Sequence, residues 1–124
     1  MKPLLYVGLG GAAGSICRYL AGHLLARVIA TPFPVATFSI NVVGSLVIGV
    51  LFGMAGRSTW PSAEGGMLLL ATGFCGGFTT FSAFALENVN LLQSGKWMVA
   101  MLYAVSSVVV GLLACRLGMM LAAR

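Results

Sequence analysis

Residues 73–87 read Gly73-Phe-Cys-Gly-Gly-Phe-Thr-Thr-Phe-Ser-Ala-Phe-Ala-Leu-Glu87. The stretch lies inside an apolar segment, yet it opens on glycines, turns to hydroxyls and phenylalanines, and closes on a carboxylate. A helix that only faces lipid needs no such mixture. A helix that breaks in mid-membrane and restarts as the wall of a narrow polar path does.

The surrounding chain fits that setting. Of its 124 residues 60% are hydrophobic and 7% charged, and the mean hydropathy is +1.04. A soluble domain carries about a quarter charged residues, so these few cannot cover a water-facing surface. No charge occurs from Val28 to Gly56, from Gly65 to Leu86 or from Trp97 to Cys115. Each window is near or above the roughly 20 residues of a spanning helix. The runs are too continuous for barrel strands, which alternate over about ten residues. The expected class is an all-α integral membrane protein with one four-helix domain, residues 1–124, in the cell (inner) membrane. The expected spans are about 3–26, 36–55, 65–92 (broken near 76–80) and 97–121. The basic, apolar N-terminus has the look of a signal peptide, but three further apolar segments follow it and it reads as the first span.

Span one carries Gly8, Gly11, Gly14 and Ser15, with Gly10-xxx-Gly14, a small-residue face for close helix packing. Arg18 lies deep in that span, where a cation needs a partner, a snorkelling route or water. A water-filled vestibule and simple snorkelling both satisfy it. Thr31-Pro-Phe-Pro34 stops the helix. In span two Asn41, Gly44, Ser45 and Gly49 share a face. The Asn41 amide is either an interhelical hydrogen bond or a donor to something passing. Arg57 to Glu64 form a polar loop, with Trp60 and Pro61 suited to an interface.

In span three, Gly73, Gly76 and Gly77 each cost about 1 kcal/mol of helix propensity. Followed by Thr79-Thr80 they predict an unwound turn, tolerated at depth only against protein or a water-lined cavity. Freed carbonyls there could bind a cation, or could be satisfied by Thr and Ser hydroxyls. Beyond it Phe81, Phe84 and Asn88 share a face. Ring edges are electropositive, so the pair either lines an anion path or simply packs. Glu87 is an acid within or near the membrane. Tyr103, Ser107 and Gly111 form a polar, small stripe on span four that would pair with span two.

Several classes are excluded. Cys17, Cys75 and Cys115 are far apart and His23 is alone, so neither a structural disulfide nor a transition-metal site is expected. No basic run exists, which argues against nucleic-acid binding. No Gly-x-x-x-x-Gly-Lys motif exists, and no enzymatic activity is expected. Four spans put Lys2, Arg57, Arg116 and Arg124 on one side and Arg27 and Lys96 on the other. That weak bias permits insertion both ways, and antiparallel pairing of two copies would follow.

Taken together, GGAAGSICRY (10–19), TFSINVVGSLVIG (37–49) and TGFCGGFTTFSAF (72–84) with Glu87 resemble the CrcB/Fluc fluoride channels over essentially the whole chain. The resemblance implies a dual-topology antiparallel homodimer in the lipid bilayer, with two pores that export fluoride passively. By matching positions, Phe81 and Phe84 are the ring-edge pair, Asn41 a donor from span two, and Tyr103 and Ser107 polar lining from span four. Backbone carbonyls of Gly76 and Thr79 would hold a central structural sodium ion, and Arg18 would be the basic residue of a vestibule. The family usually reads TTFSTF where this chain has TTFSAF. Ala83 therefore removes a hydroxyl, and the polar track would lean more on Thr80 and Ser82. The rival reading is a proton-coupled small-molecule exporter of the four-span kind, with Glu87 carrying the proton. Such an acid belongs mid-span, and Glu87 lies nearer a helix end.

Overall fold

The computed structural model describes residues 1–56 and 65–123. The expected loop with Trp60 and Pro61, and the side assignments of Arg57 and Arg124, lie outside the described residues.

The chain is helical. Helix α1 spans Lys2–Val28, with Pro3 in the first turn, where a missing N–H leaves no bond unmade. Helix α2 spans Val35–Ala55 and begins directly after the Pro32–Pro34 turn. The third run starts as a π-helical segment, Leu68–Cys75, and continues as a single α-turn, α3, Gly76–Phe78. Thr79 (φ −79°, ψ 158°) and Thr80 (φ −150°, ψ 115°) are extended. Helix α4 then covers Phe81–Gln93. A tight turn with Gly95 at φ 72°, a left-handed value that suits glycine, leads into α5, Trp97–Ala122. Four helical runs, Lys2–Val28, Val35–Ala55, Leu68–Gln93 and Trp97–Ala122, are long and apolar enough to cross a membrane. Much of their apolar surface, including Leu9, Leu24, Val108 and Leu112, faces outward, as expected where lipid replaces water as the solvent.

Two helix pairings dominate: α1 on the π-helical segment and α3, and α2 on α5. Both are backbone-close. A Cβ at Gly10 or Gly14 would overlap the carbonyl oxygens of Leu69 or Phe74, and one at Gly77 would overlap that of Gly11. A Cβ at Gly73 would lie 2.9 Å from the Gly10 Cα. Thus Gly10-xxx-Gly14 meets Gly73-xxx-Gly77 face to face. Gly8, grouped by spacing with the same stripe, has nothing within 4 Å and stands outside the contact. In the second pair, Gly49 abuts the Cys115 backbone, Gly118 abuts Leu46 and Val50, and Gly111 faces the Ser45 hydroxyl. Dispersion at such contacts, rather than hydrophobic expulsion, holds helices together in lipid. Two small cores sit at opposite ends. Leu51, Ala71 and Cys75 form one. Leu91, Ala100 and Tyr103 form the other, with Phe33, Phe38 and Phe84 packed against it.

Candidate functional site

The two extended residues are held from α2. Asn41 Nδ2 donates to the Thr80 carbonyl at 3.1 Å, and Asn41 Oδ1 accepts from the Thr80 N–H at 2.8 Å. One side-chain amide therefore serves both polar groups of one peptide residue that has left helical geometry. The interhelical alternative for Asn41 is realised, and the second N–H of its amide remains for another acceptor. Ser45, one turn on, donates to the Asn41 carbonyl at 2.7 Å.

The diverted N–H groups leave particular carbonyls without their helical donors. In an unbroken helix the Thr80 N–H would donate to Gly76 and the Ala83 N–H to Thr79. Thr80 N–H is engaged by Asn41, and Ala83 N–H donates to the Thr80 hydroxyl at 3.3 Å, making Thr80 the N-cap of α4. Phe81 and Ser82, the first residues of α4, likewise do not donate to Gly77 and Phe78, so the Gly76, Phe78 and Thr79 carbonyls are left without helical donors. Gly77 is treated differently, since its carbonyl accepts from Arg18 Nε at 3.0 Å. The Thr79 hydroxyl turns back to the Cys75 carbonyl at 2.8 Å.

Arg18 also borders open space. A cavity of about 450 Å³ is lined by Ser15, Arg18, Tyr19, His23, Thr37 and Thr80 among others. A second cavity of about 450 Å³ lies across the extended residues, with Asn41, Ser45, Thr72, Gly76, Thr80 and Phe81 in its walls. Polar and irregular backbone thus faces two hollows in a surface that is otherwise apolar.

The rings follow α4. Phe81 and Phe84 have centroids 5.6 Å apart and planes at 36°, a tilted pair. Phe81 is 79% exposed. Phe84 is half-buried against Tyr103, 5.1 Å away, and Tyr103 packs edge-to-face on Phe33 at 5.3 Å. Tyr103 is fully buried, and its hydroxyl donates to Glu87 Oε2 at 2.7 Å. The other carboxylate oxygen, Oε1, accepts from the Thr37 hydroxyl at 2.7 Å. Glu87 thereby ties α2, α4 and α5 together and also borders a smaller cavity of about 210 Å³ with Lys96.

Ser82 is exposed and its hydroxyl lies 3.4 Å from that of Thr80. Ser107 carries a buried Oγ with no hydrogen-bond partner among the described residues, a polar atom that a passing acceptor could satisfy. Thr37 is the residue that sequence reasoning missed. Its only signal was its place four residues before Asn41, on the same face of α2. Among the described residues no three His, Cys, Asp or Glu side chains converge as metal ligands. A cation held at the extended residues would have to be bound by neutral oxygens.

A family model described as CrcB-like protein, Camphor Resistance (CrcB), matches residues 5–119. The chain is 43% identical over 122 residues to the fluoride-specific ion channel FluC of Flavobacterium psychrophilum, covering 98% of both proteins. It is 48% identical over 122 residues to the protein of that name from Novosphingobium aromaticivorans, covering 96% of this chain and 94% of the relative. It is 42% identical over 124 residues to that from Ignicoccus hospitalis, covering 100% of this chain and 98% of the relative.

Proposed function

The chain belongs to the CrcB family, and from that premise we propose that it is a fluoride-specific channel of the cell membrane that lets fluoride leave passively. The observation that carries this reading is the polar seam around Asn41, Thr80 and Phe81, opening on a cavity in an apolar surface. Fluoride is small and tightly hydrated, so every water it sheds needs a substitute donor. The free N–H of Asn41, the Thr80 and Ser82 hydroxyls and the unpartnered Ser107 Oγ can supply hydrogen bonds. The Phe81 and Phe84 ring edges add weak positive charge without a full cation that would trap the ion. A negative-inside potential assists exit by about 2.3 kcal/mol per charge per 100 mV. The decisive test is fluoride efflux from proteoliposomes read with a fluoride electrode, with chloride as the control anion. Efflux of both anions alike, or of neither, defeats the reading.

The rings give a direct check. Phe81→Ile keeps bulk and apolarity but removes the ring edge. Fluoride efflux should fall at least tenfold with little change in unfolding temperature. Wild-type efflux in that variant would reduce the pair to packing.

We read Thr79 and Thr80 as the membrane-embedded break of the third span, and the functional unit as an antiparallel dual-topology homodimer with two pores. Irregular backbone is tolerated in lipid only where protein or water covers it. Gly76 and Phe81 are exposed on the single chain, and a second copy would cover them. Lys2 and Arg116 against Arg27 and Lys96 leaves the two orientations nearly balanced.

The Gly76 and Thr79 carbonyls fit a structural sodium ion. They are hard, neutral oxygens released by the diversion of two N–H groups. Bound there, sodium would supply fixed positive charge and hold the breaks of two subunits together. Strictly sodium-free buffer should abolish efflux and shift the dimer toward monomer on gel filtration. Unchanged efflux and elution would dismiss the ion.

A further inference from the structure

The cavity that borders Arg18 contains a second basic side chain. His23 stacks on Tyr19, with ring centroids 6.0 Å apart and planes 8° from parallel, and both rings line the hollow whose floor includes Thr37 and Thr80. The stack ties the imidazole to the cavity wall along one face of α1, while His23 itself stays exposed. No acidic side chain lines this cavity. Arg18 already commits its Nε to the Gly77 carbonyl, which holds the guanidinium at the inner end and leaves the outer end to His23.

Resting on the channel reading above, we infer that His23 is a proton-controlled anion-capture residue, the outer of two cations that draw fluoride toward Thr80. Histidine is the side chain whose charge changes between pH 5 and 8. The groups around it favour a single role for that change. On α1, Arg18 lines the same cavity, Tyr19 stacks on it, and Arg27 follows one turn later. From α2 come Ala36, Thr37 and Ile40, none of them charged. From the third run come Thr80 and Ala83, and Glu87, the one acid among the described residues, is taken up by hydrogen bonds from Thr37 and Tyr103. Protonation therefore adds positive charge to a cleft that holds no compensating carboxylate. Clefts lined by one sign of charge raise the local concentration of the opposite ion, and salt suppresses the effect.

The test is single-channel fluoride current in planar bilayers at low ionic strength, at pH 6 and pH 8. The wild-type current should be about two- to threefold larger at pH 6, as one added charge at the mouth implies, and the difference should vanish in concentrated salt of an impermeant anion. His23→Gln should show the same current at both pH values. His23→Lys should show a pH-independent current at or above the wild-type pH 6 level. A flat wild-type profile, or a His23→Gln profile as steep as wild type, overturns the inference while leaving the channel intact. No fluoride current at either pH overturns the channel reading and the inference with it.

Discussion

Fluoride throughput is expected to fall about a thousandfold when Asn41 is replaced by aspartate. The change is nearly isosteric and keeps an acceptor for the Thr80 N–H, now 2.8 Å from Oδ1. It removes the donor that meets the Thr80 carbonyl at 3.1 Å and puts a negative charge beside the path. At about 4 Å and an effective permittivity of about 20, that charge repels a passing anion by about 4 kcal/mol. Asn41→Leu separates the two roles. It adds no charge but strands the Thr80 N–H, at about 1–3 kcal/mol, while the Thr80 carbonyl keeps the first hydrogen bond of α4, so its larger effect should be on unfolding temperature. Efflux and thermal unfolding of the two variants, measured side by side, check the pair. An aspartate variant that conducts like wild type would place Asn41 outside the path and leave it a structural clamp alone.

Gly14→Leu should prevent the subunit from assembling. A Cβ at Gly14 would overlap the Phe74 carbonyl oxygen and lie 2.8 Å from the Phe78 amide nitrogen. Those obstacles are backbone, and no rotamer change relieves them. Separating α1 from the third run would also withdraw Arg18, one turn further along, from the Gly77 carbonyl. The expected loss exceeds the roughly 4–5 kcal/mol that marks an exceptional substitution, and is read as loss of monodisperse protein in detergent. Gly8→Leu, on the same helix but with open space around it, should not lower stability and gains up to about 1 kcal/mol of helix propensity. Equal damage from both would mean that the backbone contact at Gly14 is not what decides, since Leu improves helix propensity at either position.

The division between these two glycines marks how far the sequence could be read. Four spans follow from charge-free windows alone, because lipid imposes a length and forbids charge within it. The GxxxG spacing on α1 announced a packing face but could not say which glycines meet a neighbour, since Gly8 and Gly14 differ only in what lies opposite. The π-helical stretch Leu68–Cys75 left no local signal. Its register depends on how Gly73 and Gly77 seat against α1, a tertiary matter. Arg18 and Asn41 were legible as polar groups in need of partners. Their partners, the Gly77 carbonyl and the Thr80 peptide, are backbone atoms and carry no side-chain signature. Thr37 was illegible for a related reason. A threonine in a membrane helix ordinarily bonds its own preceding turn, and only the placement of Glu87 draws it outward.

The close fit of α1 on the third run and of α2 on α5 has a mechanical result. With backbone against backbone there are no long side chains between the members of a pair to act as springs, so each pair behaves as a stiff slab. A bilayer thinner or thicker than the slabs can be met by tilting them whole or by deforming the lipid, not by loosening them. The Asn41–Thr80 clamp joins one slab to the other through two hydrogen bonds, so it is at this seam, and not inside either slab, that a change of membrane depth would be felt.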